Sequence, residues 1–305
     1  MTQPASPNGQ RPRIAVVGCG MQARGVLIPA LLVAGANLSV LCDVAAEHAE
    51  LAARLGARFC SEADELVDEP DLDGFVLAAH STAHTELLAK LIPSGRPIFV
   101  EKPAGLSTAE LTGSVECARS NAASVQVGFM RRFAPSYRQT EQLARAWRGS
   151  LACQVRASCG PYPSDEYFVK DVAVHFVDLA RFLAGEVGEV VARWSAPREG
   201  SGRSVHALFC CEGGTVGLFL SHGGSWGHPT EELWLEGSGG VVQVTNVTDF
   251  RYHRAGRLAP SDDRAKRRRV SSGTAGGRHE RETRSAHVPS EHHDERDASR
   301  HHRVA

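Results

Sequence analysis

Between residues 13 and 128, short apolar runs rich in Val, Ile and Leu alternate with stretches whose apolar positions recur at helical spacing. This predicts strands at 14–17, 38–42, 57–60, 74–78, 97–100 and 125–127 with helices between them, the pattern of βαβ units around a parallel sheet. Ser107-Thr108-Ala109-Glu110 reads as a capping box, in which serine and glutamate satisfy free amides of a first turn, and Ser61-Glu62-Ala63-Asp64 as a weaker version. Beyond Pro135 an amphipathic helix leads to Gly149. A second helix is predicted over 171–185, with Val172, Phe176, Leu179 and Leu183 as its buried stripe. From Val187 the period becomes that of strands, with runs at 190–194, 205–210, 215–221, 232–236 and 241–245 divided by Gly-rich turns, which suggests an antiparallel sheet. From Gly256 to Ala305 the apolar period is lost and Arg, His, Ser, Asp and Glu dominate, so this tail is expected to be disordered. The expected organisation is an α/β domain over 12–128, an α+β domain over 129–255 and a polar tail over 256–305.

Composition narrows the function classes. A chain of 305 residues with 42% hydrophobic residues and a net charge of -1 has room for two domains and is no polybasic nucleic-acid binder. The first twelve residues hold no apolar signal core, and no run approaches the ~18 apolar residues of a membrane span. A soluble, cytoplasmic protein is expected. Eight cysteines never form a CxxC pair, which argues against a zinc ribbon or thioredoxin-type site and for reduced thiols; no metal site is expected. Among 34 basic residues only Lys90, Lys102, Lys170 and Lys266 are lysine. A lysine kept against that bias is a candidate for work that needs a compact ammonium.

The first predicted strand runs into Gly18-Cys19-Gly20-Met21-Gln22-Ala23, a GxGxxA fingerprint between strand and helix. Gly18 permits the tight turn, Gly20 lets a pyrophosphate approach the backbone, and Ala23 allows close helix packing. The amides of the helix start at Met21 and Gln22 would face the phosphates. Asp43 ends the second strand about 20 residues on, where a carboxylate would accept hydrogen bonds from the adenosine ribose. It would also repel a 2′-phosphate, and Val44, Ala45 and Ala46 follow it rather than arginine, so NAD is expected in preference to NADP.

A later strand delivers Glu101-Lys102-Pro103 at its carboxyl end, where ligands bind in open α/β sheets. This run, the fingerprint, Ser81 to Glu86, Val127 to Phe133 and Asp171 to His175, in that setting over residues 12–253, resemble the glucose-fructose oxidoreductase and inositol dehydrogenase family, Gfo/Idh/MocA. The resemblance implies a Rossmann domain followed by an α+β domain with an open, mainly antiparallel sheet. It implies reversible oxidation of a carbinol on a sugar, nucleotide sugar or cyclitol, with a homo-oligomer face on the sheet. Lys102, Asp171 and His175 take the family's catalytic positions, and Ser81, His84 and Glu101 join Lys102 and the glycine loop at the cofactor. His80, Met130 and Ala173 depart from the family's usual proline, asparagine and glycine.

The chemistry of the residues agrees. Hydride transfer from a carbinol requires loss of the hydroxyl proton to a general base that titrates near neutrality, and His175 is expected to fit that requirement. Asp171, four residues earlier on one helix face, can meet the imidazole or a second substrate hydroxyl. Lys102 can stabilise alkoxide charge. Asp178 and Arg181 read as an ion pair, and Arg131 and Arg132 as ligand contacts, solvated side chains or domain bridges. Two other functions fit the same residues: a nucleotide-binding sensor without turnover, or an enzyme compromised at its C-terminus, and a redox-neutral enzyme that oxidises transiently to activate a neighbouring bond. Nucleic-acid binding fits least.

Overall fold

The computed structural model describes residues 11–195, 202–224 and 226–256, so the tail expected over 256–305 lies, apart from Gly256, outside the described residues. Six strands, β1 (Arg13–Val17), β2 (Asn37–Cys42), β3 (Arg58–Cys60), β4 (Gly74–Leu77), β5 (Ile98–Val100) and β6 (Val125–Val127), form a parallel sheet in the order β3-β2-β1-β4-β5-β6. Each lies within one residue of its predicted ends. Ala15, Val16, Phe75, Val76, Leu77 and Val100 are buried because helices cover both faces, which is why these strands are apolar without alternation. Strand order reverses between β1 and β4, and that switch point opens a crevice at the carboxyl ends.

A π-helical turn, Ala23–Leu27, continues into α1 (Ile28–Val33), followed by α2 (Ala49–Leu55), α3 (His84–Leu91) and α4 (Thr108–Ser120). At the start of α4 the Ser107 hydroxyl accepts from the Glu110 amide at 3.3 Å, while the Glu110 carboxylate accepts from the Leu106 amide at 3.0 Å, one residue earlier than a capping box requires. The weaker box at 61–64 forms no side-chain cap; a 3₁₀ turn, Ala63–Leu66, starts there instead.

The second sheet contains β7 (Leu151–Cys159), β8 (Val187–Ser195), β9 (Arg203–Cys211), β10 (Gly214–His222), β11 (Thr230–Gly237), β12 (Gly240–Thr245) and β13 (Asp249–Arg254), ordered β13-β12-β11-β7-β10-β9-β8. All its pairings are antiparallel except β7 with β10. The sequence-based expectation lacks β7 and β13. β7 nonetheless alternates fully, with Leu151, Cys153, Val155, Ala157 and Cys159 turned to the core. Its inward positions include two cysteines and an alanine, so its apolar signal is faint.

The inner face of this sheet is covered by α5 (Pro135–Ala146) and α7 (Val174–Ala184), which bury Tyr137, Phe176, Leu179 and Leu183 against it. The predicted start of the second helix at 171 falls in a π-helical turn, Val169–Ala173, preceded by the short α6 (Asp165–Phe168). Asp178 is held by Arg132 through two bonds of 2.8 and 2.7 Å, and Arg181 by Glu186 at 3.1 and 2.6 Å. The expected Asp178–Arg181 pair is thus replaced by two others, because Asp178 points to the core side of α7 where Arg132 arrives. Among the described residues no helix is long and apolar enough to cross a membrane, and the eight cysteines are unbridged.

Candidate active site

β1 ends in Gly18, whose φ of +90° and position against β4 exclude any side chain: a Cβ there would lie 2.3 Å from the Ala79 nitrogen. Gly18→Ala is expected to cost at least about 1–3 kcal/mol of stability, the range for a strained backbone, seen as a lower urea midpoint. A Cβ on Gly20 would meet nothing within 4 Å, so the backbone there borders open space of the kind a pyrophosphate needs. Ala23 is fully buried under the helix start, whereas Met21 is exposed. Asp43 accepts from the Cys19 amide at 2.6 Å and from the Ala45 amide at 2.9 Å. One carboxylate thus ties the glycine loop to the end of β2 and keeps lone pairs for a ribose hydroxyl.

At the end of β5, the Glu101 carboxylate accepts from the Lys102 amide at 3.2 Å and from the Gln22 side-chain amide at 3.4 Å, joining the two halves of the crevice. The peptide between Lys102 and Pro103 is cis. The Lys102 ammonium donates to the Asp171 carbonyl at 2.9 Å and to the Asp171 carboxylate. Tyr162 donates its hydroxyl to the other carboxylate oxygen at 2.7 Å. Asp171 lies in the π-helical turn before α7, a distortion common at functional sites. Burial would raise the Asp171 carboxyl, but the bonds from Lys102 and Tyr162 outweigh it and hold the group below the usual carboxylate range.

His175 stands one turn further along. Burial first, then the Arg131 and Lys102 charges, push its pKa down to about 3, with Asp171 opposing them only in part. Its Nδ1 is buried with no hydrogen-bond partner among the described residues, and its ring meets Phe129 edge-on at 6.4 Å. Asp171 is not bonded to the His175 imidazole; its carboxylate takes Lys102, whose charge complements it as the sequence suggested, and Tyr162. Gln22, Ser81, His84, Glu101, Lys102, Asp171 and His175 all line one cleft of about 1030 Å³.

Residues 12–129 match the Gfo/Idh/MocA family, described as "Oxidoreductase family, NAD-binding Rossmann fold". The chain belongs to that family. Among its relatives, inositol 2-dehydrogenase of Rhodococcus jostii is 32% identical over 249 residues, covering 74% of this chain and 66% of that protein. Inositol 2-dehydrogenase 2 of Saccharopolyspora erythraea is 32% identical over 182 residues, covering 57% and 54%. The chain therefore spans between about half and two thirds of the length of these relatives. The fold is shared with scyllo-inositol dehydrogenase from Lactobacillus casei, solved with NAD(H) and scyllo-inositol: the TM-score is 0.66 at 21% identity, over 77% of this chain and 76% of that one.

In this Gfo/Idh/MocA protein His84, expected at the cofactor, is a brace. Its Nδ1 lies 2.8 Å from the Pro103 carbonyl and its Nε2 2.9 Å from the Ala79 carbonyl, so neither ring nitrogen is left for a ligand. Holding the strand ends of β4 and β5 together is its evident task. Arg131 spans from the turn after β6 to β11, where its Nε lies 3.0 and 3.2 Å from the Glu231 carboxylate oxygens, and its guanidinium sits 4.6 Å over the Phe176 ring. That makes it a bridge between the two sheets whose charge still reaches His175.

Sequence reasoning missed Tyr162 and Glu231. Glu231 left a signal, since it is the charged member of the inward alternation it shares with Leu233 and Leu235. Tyr162 left none, because it sits in an irregular loop between Gly160 and Ser164.

Proposed function

We propose that this protein is an NAD-dependent dehydrogenase or ketoreductase that moves hydride between the nicotinamide and a carbinol or ketone carbon of a cyclitol or sugar. The observation that carries this reading is convergence: Lys102, just after β5 of the first sheet, and Asp171 and His175, at the start of the helix that packs on the second sheet, line the same cleft as Gln22 of the glycine loop's helix. The residues fit the cofactor, since Gly20 borders open space and Asp43 offers a carboxylate where NADP would bring a phosphate. The inositol dehydrogenases among its relatives support a cyclitol as substrate.

NAD, when bound, supplies the hydride acceptor. The chain supplies the rest. Two of the three ammonium hydrogens of Lys102 are spent on Asp171, which leaves one for the carbinol oxygen, where the positive charge stabilises developing alkoxide. His175 is neutral and open to the hydroxyl proton, but with its pKa pushed down to about 3 it is a much weaker base than the near-neutral one expected from the sequence. The test is NADH formation from NAD and NADP over inositols, hexoses and nucleotide sugars. Tight NADH binding with no turnover of any of these would overturn the enzyme reading in favour of a sensor.

A pH profile gives a second check. A histidine with a depressed pKa stays unprotonated until pH falls towards that value, so kcat/KM for oxidation is expected to show no acid limb near 6.5. A limb at the ordinary histidine pKa would contradict the geometry.

The same reading extends to assembly. On the second sheet Leu208, Phe219 and Trp234 are exposed, on β9, β10 and β11. A two-fold related copy seated on that face would bury these apolar residues. Trp234→Glu is expected to convert a dimer to a monomer by light scattering; a monomeric wild type would remove this part.

A further inference from the structure

Resting on the dehydrogenase reading, we propose that Tyr162 is a positioning residue that orients Lys102 through Asp171. Asp171 faces four titratable groups: Lys102 from the end of β5, Tyr162 from the loop after β7, His175 from α7 and Cys159 at the end of β7. Among the described residues only the first two bond its carboxylate, one on each oxygen. With Tyr162 on one side, the carboxylate cannot swing about its terminal torsion, a soft and roughly two-fold rotation in a free side chain. The other oxygen is then presented to Lys102 beside the Asp171 carbonyl, and the ammonium is held by two acceptors from a single residue.

The phenol is itself fixed. Its ring centroid lies 5.2 Å from Trp226, 5.7 Å from Phe168 and 5.8 Å from Tyr167. Trp226 packs so closely on Gly160 that a Cβ there would fall 2.3 Å from its ring. Burial and the adjacent carboxylate push the Tyr162 hydroxyl pKa up, so it remains a donor across the working range. The chain of control runs from an aromatic cluster, through one hydroxyl and one carboxylate, to the ammonium.

Tyr162→Phe keeps the ring and removes the bond. In the full chain it is expected to lower kcat roughly fivefold, the equivalent of one hydrogen bond, with NAD affinity unchanged. The acid limb of kcat/KM should move to higher pH, because the Asp171 carboxylate loses a donor that favours its charged form. A packing role alone would not move that limb. A readout independent of turnover is trace acetylation with acetic anhydride, followed by peptide mass spectrometry, in which Lys90, Lys170 and Lys266 serve as internal references. Lys102 is expected to react roughly fivefold faster in Tyr162→Phe and at the wild-type rate in Tyr167→Phe, which alters the same cluster without a bond to Asp171. Unchanged Lys102 labelling in Tyr162→Phe would overturn the proposal, as would an unshifted acid limb. A wild type that oxidises no cyclitol or sugar would instead overturn the dehydrogenase reading, and labelling would still decide the part of Tyr162.

Discussion

Lys102→Ala is expected to lower kcat by about 10²–10³-fold, the loss associated with one preorganised donor to a developing oxyanion. The side chain is 17% exposed and its ammonium is aimed by two bonds to Asp171, so little reorganisation is left for the moment of reaction. Its removal has a second consequence. Burial favours the neutral form of Asp171, and one of the donors opposing that burial disappears, so the carboxyl pKa rises. The acid limb of the residual activity should therefore move upward as well. Steady-state rates and NADH fluorescence titration on the same preparation separate lost chemistry from lost binding. Full turnover in the variant would place the reacting carbon elsewhere.

Glu231→Ala is expected to destabilise the fold by about 3–5 kcal/mol, the range for removing one member of a buried ion pair. The Arg131 and Glu231 side chains are only 14% and 11% exposed. Truncation leaves the guanidinium in a poorly solvated place and strips the fully buried Tyr137 hydroxyl of its acceptor. A urea titration should show a lower midpoint at an unchanged slope. Glu231→Gln, which keeps an acceptor for Tyr137, should lose less. A loss below about 1 kcal/mol, typical of exposed pairs, would show that water reaches the pair.

These two sites differ in how they could be found. Lys102 stood out beforehand because it ends a strand at the carboxyl edge of a parallel sheet in a chain that otherwise uses arginine. For Arg131 a ligand contact and a domain bridge both stayed open, since nothing local shows that its partner lies 100 residues away. His84 lines the cleft as its place after β4 suggests, but that its ring nitrogens face the carbonyls of residues 79 and 103 could not be read from the sequence, for the same reason. β7, the central strand of the second sheet, went unseen although its alternation is complete, because cysteine and alanine weaken the apolar signal.

Sequence alone determined the parallel sheet, its strand limits and the glycine loop. Each of these follows from short-range rules: apolar period, turn chemistry, and a glycine where a Cβ would strike Ala79. Tertiary structure decided which partner each polar group takes. Asp171 meets Lys102 across 69 residues of chain and Tyr162 across nine, while His175, four residues from Asp171, is left without that bond. Such choices depend on strand order and helix placement, because a hydrogen bond is settled within a few tenths of an ångström and no periodicity along the chain carries that precision.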